Sequence, residues 1–179
     1  MVYVLLADGF EEVETITPID ILRRANVEVK TVSIKDTLVR GAHNITVKAD
    51  MNIADLKNID DMELLLLPGG AGHELLDASN EVHELINYAY TNNIYIAAIC
   101  AAPSILGKKM ILEGKKAVCF PGFEKYLYGA LIQSDKVVVD GKIITAKGAG
   151  AAAEFGFEIC KILKGKEVAD SLMATMQYI

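Results

Sequence analysis

Short apolar runs without any alternation of polar residues constrain the fold of this chain more than any other feature. They are "VYVLLA" at Val2–Ala7, the four leucines of the predicted strand "MELLLLPGG" at Met62–Gly70, and "IYIAAIC" at Ile94–Cys100. A strand with one solvated face alternates apolar and polar residues, whereas a strand covered on both faces is apolar throughout. The runs therefore predict a mostly parallel sheet with a layer of helices on each side.

Helical patterns separate these runs, as a parallel sheet requires. "EEVETITPIDILRRA" follows the first strand, and two more helical stretches, "AAAEFGFEICKILKG" and "KEVADSLMATM", end the chain. "SNEVHELINYAYTNN" opens with Ser79 as the predicted N-cap, and its apolar residues share one helical face: Val82, Leu85, Ile86 and Ala89. The pattern predicts an α/β three-layer sandwich.

The remaining segments are predicted to be β structure. "VEVKTVSI" (Val27–Ile34) is a second strand, and the stretch around Gly41 and Asn44 is a β excursion. "KVVVDGKIITA" is predicted to form a hairpin with Asp140 and Gly141 at its turn.

Composition limits the classes of function. The 179 residues contain no linker or repeat, which predicts one domain spanning residues 1–179. A net charge of −6 argues against nucleic acid or an anionic membrane as the partner. The N-terminus lacks the basic region of a secretory signal, and no apolar run reaches the roughly 18 residues of a membrane span. Three cysteines without CxxC spacing argue against a disulfide framework or a cysteine zinc site, so we expect a reducing cytoplasm.

The predicted site lies where three strands end, because ligands of open α/β sheets bind at the carboxyl ends of the strands. The three ends are Ala7-Asp8-Gly9, Pro68-Gly69-Gly70 and Ile99-Cys100-Ala101. Cys100 stands at a strand-to-helix turn, and Pro103 suits the first turn of the helix that follows. We expect the following amides and the helix dipole to favour the thiolate. The residues alone equally allow Cys100 to be a small buried apolar residue.

Two other stretches could contribute groups to a site at this thiol. "LPGGAG" lacks the residues of a phosphate loop and by itself indicates a tight turn, but the amides of Gly70 and Ala101 could together bind an oxyanion. Glu14 lies four residues before Pro18, which cannot donate the helical hydrogen bond to the Glu14 carbonyl. A carboxyl group beside a thiolate would have a raised pKa and could donate a hydrogen bond to sulfur. Taken alone, Glu14 is better explained as a solvated first-turn carboxylate that pairs with the helix dipole.

Together these motifs resemble the DJ-1-like branch of the ThiJ/PfpI superfamily. The resemblance rests on "ADGFEEVETITPIDILRRA", "LLLLPGG", "IAAICAAP" and "KGAGAAAEFGFEICKILKGKEVA", and it covers nearly the whole chain. It implies a flavodoxin-like sandwich of the class I glutamine amidotransferase type, normally a homodimer. It further implies that Cys100 is the reactive, easily oxidised thiol, that Glu14 hydrogen-bonds it, and that Gly70 and Ala101 form the oxyanion pocket.

The chain departs from the family pattern at three positions. Ala101 replaces the histidine that follows the cysteine in protease-like branches, so no Cys-His pair for peptide hydrolysis is expected. Phe120 stands where some members carry a pocket histidine. His43 matches an arginine that the branch contributes to the partner's pocket, and Gly69 is expected to support the site beside it.

Other polar residues are predicted to lie outside the site. His73 is expected to cap a helix or face solvent, and His83 to lie on a helix surface. Cys119 is predicted to be buried, with a role as a resolving thiol as the alternative, and Cys160 to be a core residue.

The resemblance leaves two functions. One is glyoxalase or deglycase activity on methylglyoxal-type dicarbonyls or early glycation adducts, with no metal or organic cofactor. The other is a redox-sensing or chaperone-like stress-response protein in which Cys100 is oxidised to the sulfinic acid with little turnover.

Overall fold

A computed structural model describes all residues, 1–179. Its eleven strands are β1 (Val2–Leu6), β2 (Val29–Ser33), β3 (Leu38–Arg40), β4 (Thr46–Lys48), β5 (Met51–Asn52), β6 (Leu64–Leu67), β7 (Tyr95–Ile99), β8 (Lys116–Ala117), β9 (Leu131–Ile132), β10 (Val137–Asp140) and β11 (Ile143–Ala146). Its six α-helices are α1 (Glu12–Arg24), α2 (His73–Ala78), α3 (Asn80–Thr91), α4 (Pro103–Lys108), α5 (Ala152–Lys164) and α6 (Lys166–Thr175).

The central sheet has seven strands in the order β10-β11-β7-β6-β1-β2-β5. Every neighbouring pair is parallel except β10 and β11, which form the predicted hairpin at one edge. Its two-residue loop is Gly141–Lys142, one residue later than predicted, and Gly141 has a φ of +60°. The predicted α/β architecture with a mostly parallel sheet is confirmed.

Both faces of the sheet are covered, which explains the uninterrupted apolar strands. In β1, Val2, Val4 and Leu6 pack on the side of α1 and α5. Tyr3 and Leu5 point to the opposite side, where they pack with residues of α3 and α4. Because successive strand residues alternate between the two cores, a strand that serves both cores has no position for a polar side chain.

The helix α3 begins at its predicted N-cap and buries its predicted apolar face. The Ser79 hydroxyl accepts a hydrogen bond from the Val82 amide at 3.3 Å, which is an N-cap interaction. The four predicted apolar residues are all buried: Val82, Leu85, Ile86 and Ala89.

The β excursion forms a separate antiparallel hairpin of β3 and β4. It stands against the beginning of α1, because the Gly9 amide donates to the Arg40 carbonyl and the Ala42 amide donates to the Phe10 carbonyl. None of the six helices combines the length and hydropathy that a membrane span requires.

Candidate active site

Cys100 occupies the sharp turn between β7 and α4. Its φ is +65°, a left-handed conformation that costs a residue with a side chain about 1–3 kcal/mol. Two backbone hydrogen bonds hold this conformation: the Cys100 amide donates to the Ala146 carbonyl at 2.9 Å, and the Phe120 amide donates to the Cys100 carbonyl at 2.8 Å. The thiol is half-buried rather than enclosed in the core. The backbone is thus constrained in the way expected for a positioned nucleophile.

Glu14 lies in the first turns of α1 and is 1 % exposed. Its amide donates to the Glu11 side chain at 2.7 Å, so that Glu11 caps the helix and fixes where the Glu14 side chain starts. The Glu14 Oε2 oxygen is buried without a hydrogen-bond partner of good geometry. A buried, unpaired carboxylate oxygen is costly, which points to a group awaiting a proton or a ligand.

Gly69 brings this carboxyl group and the thiol together. A Cβ placed on Gly69 would lie 2.4 Å from the Cys100 Cβ and 3.0 Å from the Cys100 sulfur. It would also overlap the Glu14 Oε2 oxygen. Only a residue without a side chain leaves room for both groups on the same side of the turn.

The electrostatics of Glu14 suit proton transfer near neutral pH. Burial raises the pKa of the carboxyl group from 4.5 to about 7. The nearby Cys100 side chain and the amides of Gly69 and Ala149 lower this pKa, and the negative charge of Glu11 raises it, but burial dominates. The direction agrees with the raised pKa predicted from the sequence.

Cys100 differs from its prediction in its protonation. Burial, followed by the charge of Glu14, raises the pKa of the thiol to about 12. The amides of Gly70 and Ala101 lower this pKa, as expected, but they do not outweigh burial. The helix that follows has only six residues, so its dipole is short. The direction of this shift is opposite to the expected preference for the thiolate, because burial and the negative charge of Glu14 outweigh the two amides.

The two amides proposed for an oxyanion do lie at the sulfur. Gly70 has a φ of +81°, which favours glycine, and it pairs with Phe10 in an isolated antiparallel bridge. Ala101 follows Cys100 in the turn and is buried. Both N–H groups are near enough to the Cys100 sulfur to lower the pKa of the thiol. An oxygen that develops next to the sulfur would meet the same two donors.

His43 pairs with Glu12 rather than with the groups of this cluster. Its side chain is 71 % exposed, and its Nδ1 lies 2.9 Å from the Glu12 Oε2 oxygen. The His43 amide also donates to the Glu12 Oε1 oxygen at 2.7 Å. The ligand-type atoms of Glu11, Glu12 and His43 lie within 4.8 Å of one another, and the Glu12–His43 pair is already satisfied internally.

Phe120 borders the site, as its sequence position suggested. Its ring and the Glu14 Oε1 oxygen both lie close to the Gly148 backbone: a Cβ on Gly148 would be 3.3 Å from the ring and 3.5 Å from the oxygen. Phe120 is 47 % exposed, whereas the neighbouring Cys119 is buried. The predicted burial of Cys119 is confirmed.

Two features of the site were missed in the sequence. Gly148 and Ala149 follow β11, a fourth strand end, and the Ala149 amide acts on the Glu14 carboxyl group. The glycine two residues after the second hairpin strand was the available signal. His73 is buried rather than facing solvent, and its Nδ1 donates to the Gly70 carbonyl at 2.8 Å. That expectation was wrong because the ring turns back onto the glycine loop.

Comparison with known proteins places this geometry in a family. The family model described as the DJ-1/PfpI family matches residues 1–162. The chain belongs to the DJ-1/PfpI family. Protein dj-1beta of Drosophila melanogaster is 33% identical over 168 residues, which cover 92% of this chain and 89% of that protein. A deglycase of Pyrococcus abyssi is 30% identical over 165 residues, which cover 91% and 99%.

Solved structures of DJ-1 proteins share the whole fold. The structure of oxidised Toxoplasma gondii DJ-1 superimposes with a TM-score of 0.93 at 32% identity and covers 98% of this chain and 97% of that one. The resemblance predicted from the motifs is thereby confirmed at the level of family and fold.

Proposed function

We propose that this protein is a cofactor-independent glyoxalase or deglycase that acts on methylglyoxal-type dicarbonyls or on their early glycation adducts. The observation that carries the proposal is the cluster of Cys100, Glu14 and the two amides of Gly70 and Ala101 around the side-chain-free Gly69. These groups supply a nucleophile, a base and an oxyanion site. The Pyrococcus abyssi relative, which is named a deglycase, supports the same reaction class.

In the first step the Cys100 sulfur attacks the aldehyde carbon. A new C–S bond forms, the carbonyl π bond breaks, and the negative charge moves to the aldehyde oxygen. Glu14 accepts the thiol proton as the attack proceeds, because its pKa of about 7 leaves a base at neutral pH. The Gly70 and Ala101 amides stabilise the oxyanion, which then takes a proton to give a hemithioacetal.

In the second step Glu14 moves a proton between two carbon atoms. The carboxylate removes the hydrogen of the former aldehyde carbon, giving an enediol, and returns a proton to the adjacent carbon. The first carbon is oxidised and the second is reduced, so no external redox partner is required. The product is a 2-hydroxyacyl thioester on Cys100, which water hydrolyses to the hydroxy acid and the free thiol.

Peptide hydrolysis is not proposed. A cysteine peptidase needs an imidazole next to the thiol, and Ala101 and Phe120 occupy the two neighbouring positions where relatives carry histidine. The single base of this site, Glu14, is better suited to the short proton transfers of dicarbonyl chemistry.

A second candidate function is redox sensing, including chaperone-like protection under oxidative stress. The similar Toxoplasma gondii DJ-1 structure is of an oxidised form, which favours it. Oxidation of Cys100 to the sulfinic acid would place acidic oxygens beside Glu14, which could donate a hydrogen bond in its protonated form. The raised pKa of the Cys100 thiol slows this route, because the thiolate is the species that oxidants attack.

We further propose a cytoplasmic homodimer. Four exposed apolar side chains, Val13 and Ile16 of α1 with Leu38 and Ile45 of the β3–β4 hairpin, stand on the two elements that the Glu12–His43 pair joins, and we propose that they form one apolar patch. A second copy seated on this patch would bring a neighbouring subunit close to the Glu12–His43 pair. The three unpaired cysteines suit a reducing compartment.

The proposed function is tested by the conversion of methylglyoxal to lactate. We expect wild-type protein to exceed an equal concentration of a small thiol clearly. The Cys100→Ala and Glu14→Gln variants should fall to that background, with a loss for Glu14→Gln of about 10²–10⁴-fold. Wild-type turnover equal to the small thiol would contradict the enzyme and leave the redox sensor.

A further inference from the structure

A cavity lies between α2, α4 and the loop after β8. Neither Cys100 nor Glu14 lines it. Its volume is about 430 Å³, which is within the range of small-molecule sites. The residues that line it and enter the argument are His73, Asp77, Ser104, Lys108, Lys125 and Tyr126.

The buried hydroxyl of Ser104 indicates that this cavity binds a ligand. The residue is 1 % exposed and lines the cavity, and its hydroxyl has no hydrogen-bond partner in the protein. A serine in a first helical turn normally bonds a nearby backbone group. A buried hydroxyl left unpaired destabilises the protein, so a ligand that pairs with it recovers this free energy.

One ammonium group in the lining has no ion-pair partner. Lys108 donates to Asp77 at 2.5 Å, so these two groups neutralise each other. Lys125 has no carboxylate within 4.0 Å, and its ammonium lies 4.9 Å from the centre of the Tyr126 ring. Because the exposed Glu74 also lines the cavity, the lining holds two ammonium and two carboxylate groups. Lys125 can therefore pair with one carboxylate, whereas a dianion would be disfavoured.

His73 adds a polar atom to the same space. Its Nδ1 is committed to the Gly70 carbonyl, which can only accept a hydrogen bond, so Nδ1 carries the hydrogen. The other ring nitrogen, Nε2, is therefore an acceptor in the neutral ring. Together, Ser104 and His73 offer a donor and an acceptor, which is what a ligand hydroxyl needs.

We propose that this cavity binds a small hydroxy carboxylate, with its carboxylate at Lys125 and its hydroxyl at Ser104 and His73. The site is separate from the Cys100 cluster, and binding does not require turnover. A ligand here would contact His73, whose other nitrogen holds the glycine loop that carries the Gly70 amide.

The test compares lactate with propionate, which lacks the hydroxyl group, by titration of ¹⁵N-labelled protein monitored by NMR. We expect shifts at residues 104, 108, 125 and 126, and tighter binding of lactate than of propionate. Ser104→Ala should weaken lactate by about threefold to tenfold and leave propionate unchanged. Lys125→Met should weaken both ligands, whereas the control Lys57→Met, an exposed lysine elsewhere, should weaken neither.

Two further arms keep the test independent of folding and of the proposed reaction. Ser104→Ala should melt at the same or a higher temperature, because it removes an unpaired buried hydroxyl. Lactate should bind the Cys100→Ala variant unchanged, since the cavity does not contain Cys100. Equal binding of lactate and propionate, tighter binding of inorganic phosphate, or shifts confined to the Cys100 turn would each overturn the proposal.

Discussion

At the scale of single residues, the site depends on one strained cysteine and one buried carboxyl group. The sequence marked both Cys100 and Glu14 because each stands at or near a strand end. It could not reveal the protonation state of the thiol, because that state depends on how far burial outweighs two backbone amides. Burial is a property of the packed molecule, and the local sequence does not determine it.

The raised pKa of Glu14 predicts a pH dependence of turnover. The base form of a carboxyl group with a pKa of about 7 grows as pH rises through 7. We therefore expect kcat/KM for methylglyoxal to rise about tenfold per pH unit below 7 and to level off above it. A profile that is flat between pH 5 and 8, measured with constant ionic strength, would remove Glu14 from the role of the base.

The lack of space for a side chain at Gly69 predicts that substitution by alanine lowers the rate of turnover. Gly69→Ala places a methyl group against Glu14 and the Cys100 sulfur, so the two reacting groups are forced apart. We expect turnover to fall by at least 10²-fold, since a displacement of about 1 Å costs that much. Gly150→Ala is the matched control, because a Cβ there meets nothing within 4 Å. Equal activity of the two variants would contradict the geometry.

At the scale of elements, α1 connects the site to the β3–β4 hairpin. Glu11 caps the helix, Glu14 enters the site, and Glu12 accepts hydrogen bonds from the hairpin at His43. The helix itself was predicted, since its apolar pattern and first-turn acids are local signals. The hydrogen bonds that join Glu12 to His43 of the hairpin, here called the Glu12 clamp, could not be predicted. The two residues are 31 positions apart, and hydrophobic periodicity carries no information about such distant pairs.

The Glu12 clamp predicts a contribution to the free energy of unfolding that is lost in acid. Burial raises the pKa of Glu12, but the hydrogen bonds from His43 and other amides outweigh it and lower the pKa from 4.5 to about 2. The unfolded chain therefore binds more protons between these values, so the contribution is complete above pH 4.5 and is lost as pH falls toward 2. Urea unfolding should show Glu12→Gln less stable than wild type at pH 7.

The pH dependence of this difference shows whether Glu12 acts through its charge. The difference in unfolding free energy between wild type and Glu12→Gln should shrink between pH 4.5 and 2. Glu84→Gln serves as the control, because the Glu84 carboxylate is exposed on α3 and makes no salt bridge or hydrogen bond. A difference that stays constant down to pH 2 would mean that Glu12 acts through packing rather than through charge.

At the scale of the whole molecule, the layers were predictable and the strand order was not. Uninterrupted apolar strands separated by helices require a covered parallel sheet. The order β10-β11-β7-β6-β1-β2-β5 depends on which strands pair over long separations. For the same reason the end of β11, which brings Gly148 to Glu14, was not recognised as part of the site.

The apolar patch of Val13, Ile16, Leu38 and Ile45 predicts that the protein is a dimer in solution. We expect sedimentation analysis to give twice the mass of one chain. Ile16→Glu should dissociate the dimer by placing a charge in the apolar contact. Val168→Glu, which alters an exposed apolar residue of α6, should leave the mass unchanged. A wild-type monomer at micromolar concentration would contradict this assignment.

The central claim is that the Cys100 sulfur carries the substrate and that Glu14 resolves the adduct. The most direct measurement is mass spectrometry of protein quenched in acid at successive times after methylglyoxal is added. We expect one adduct, on Cys100 alone, that is transient in wild type and that forms more slowly but persists in Glu14→Gln. An adduct spread over Cys119, Cys160 and lysines, or one equally persistent in both proteins, would contradict the account.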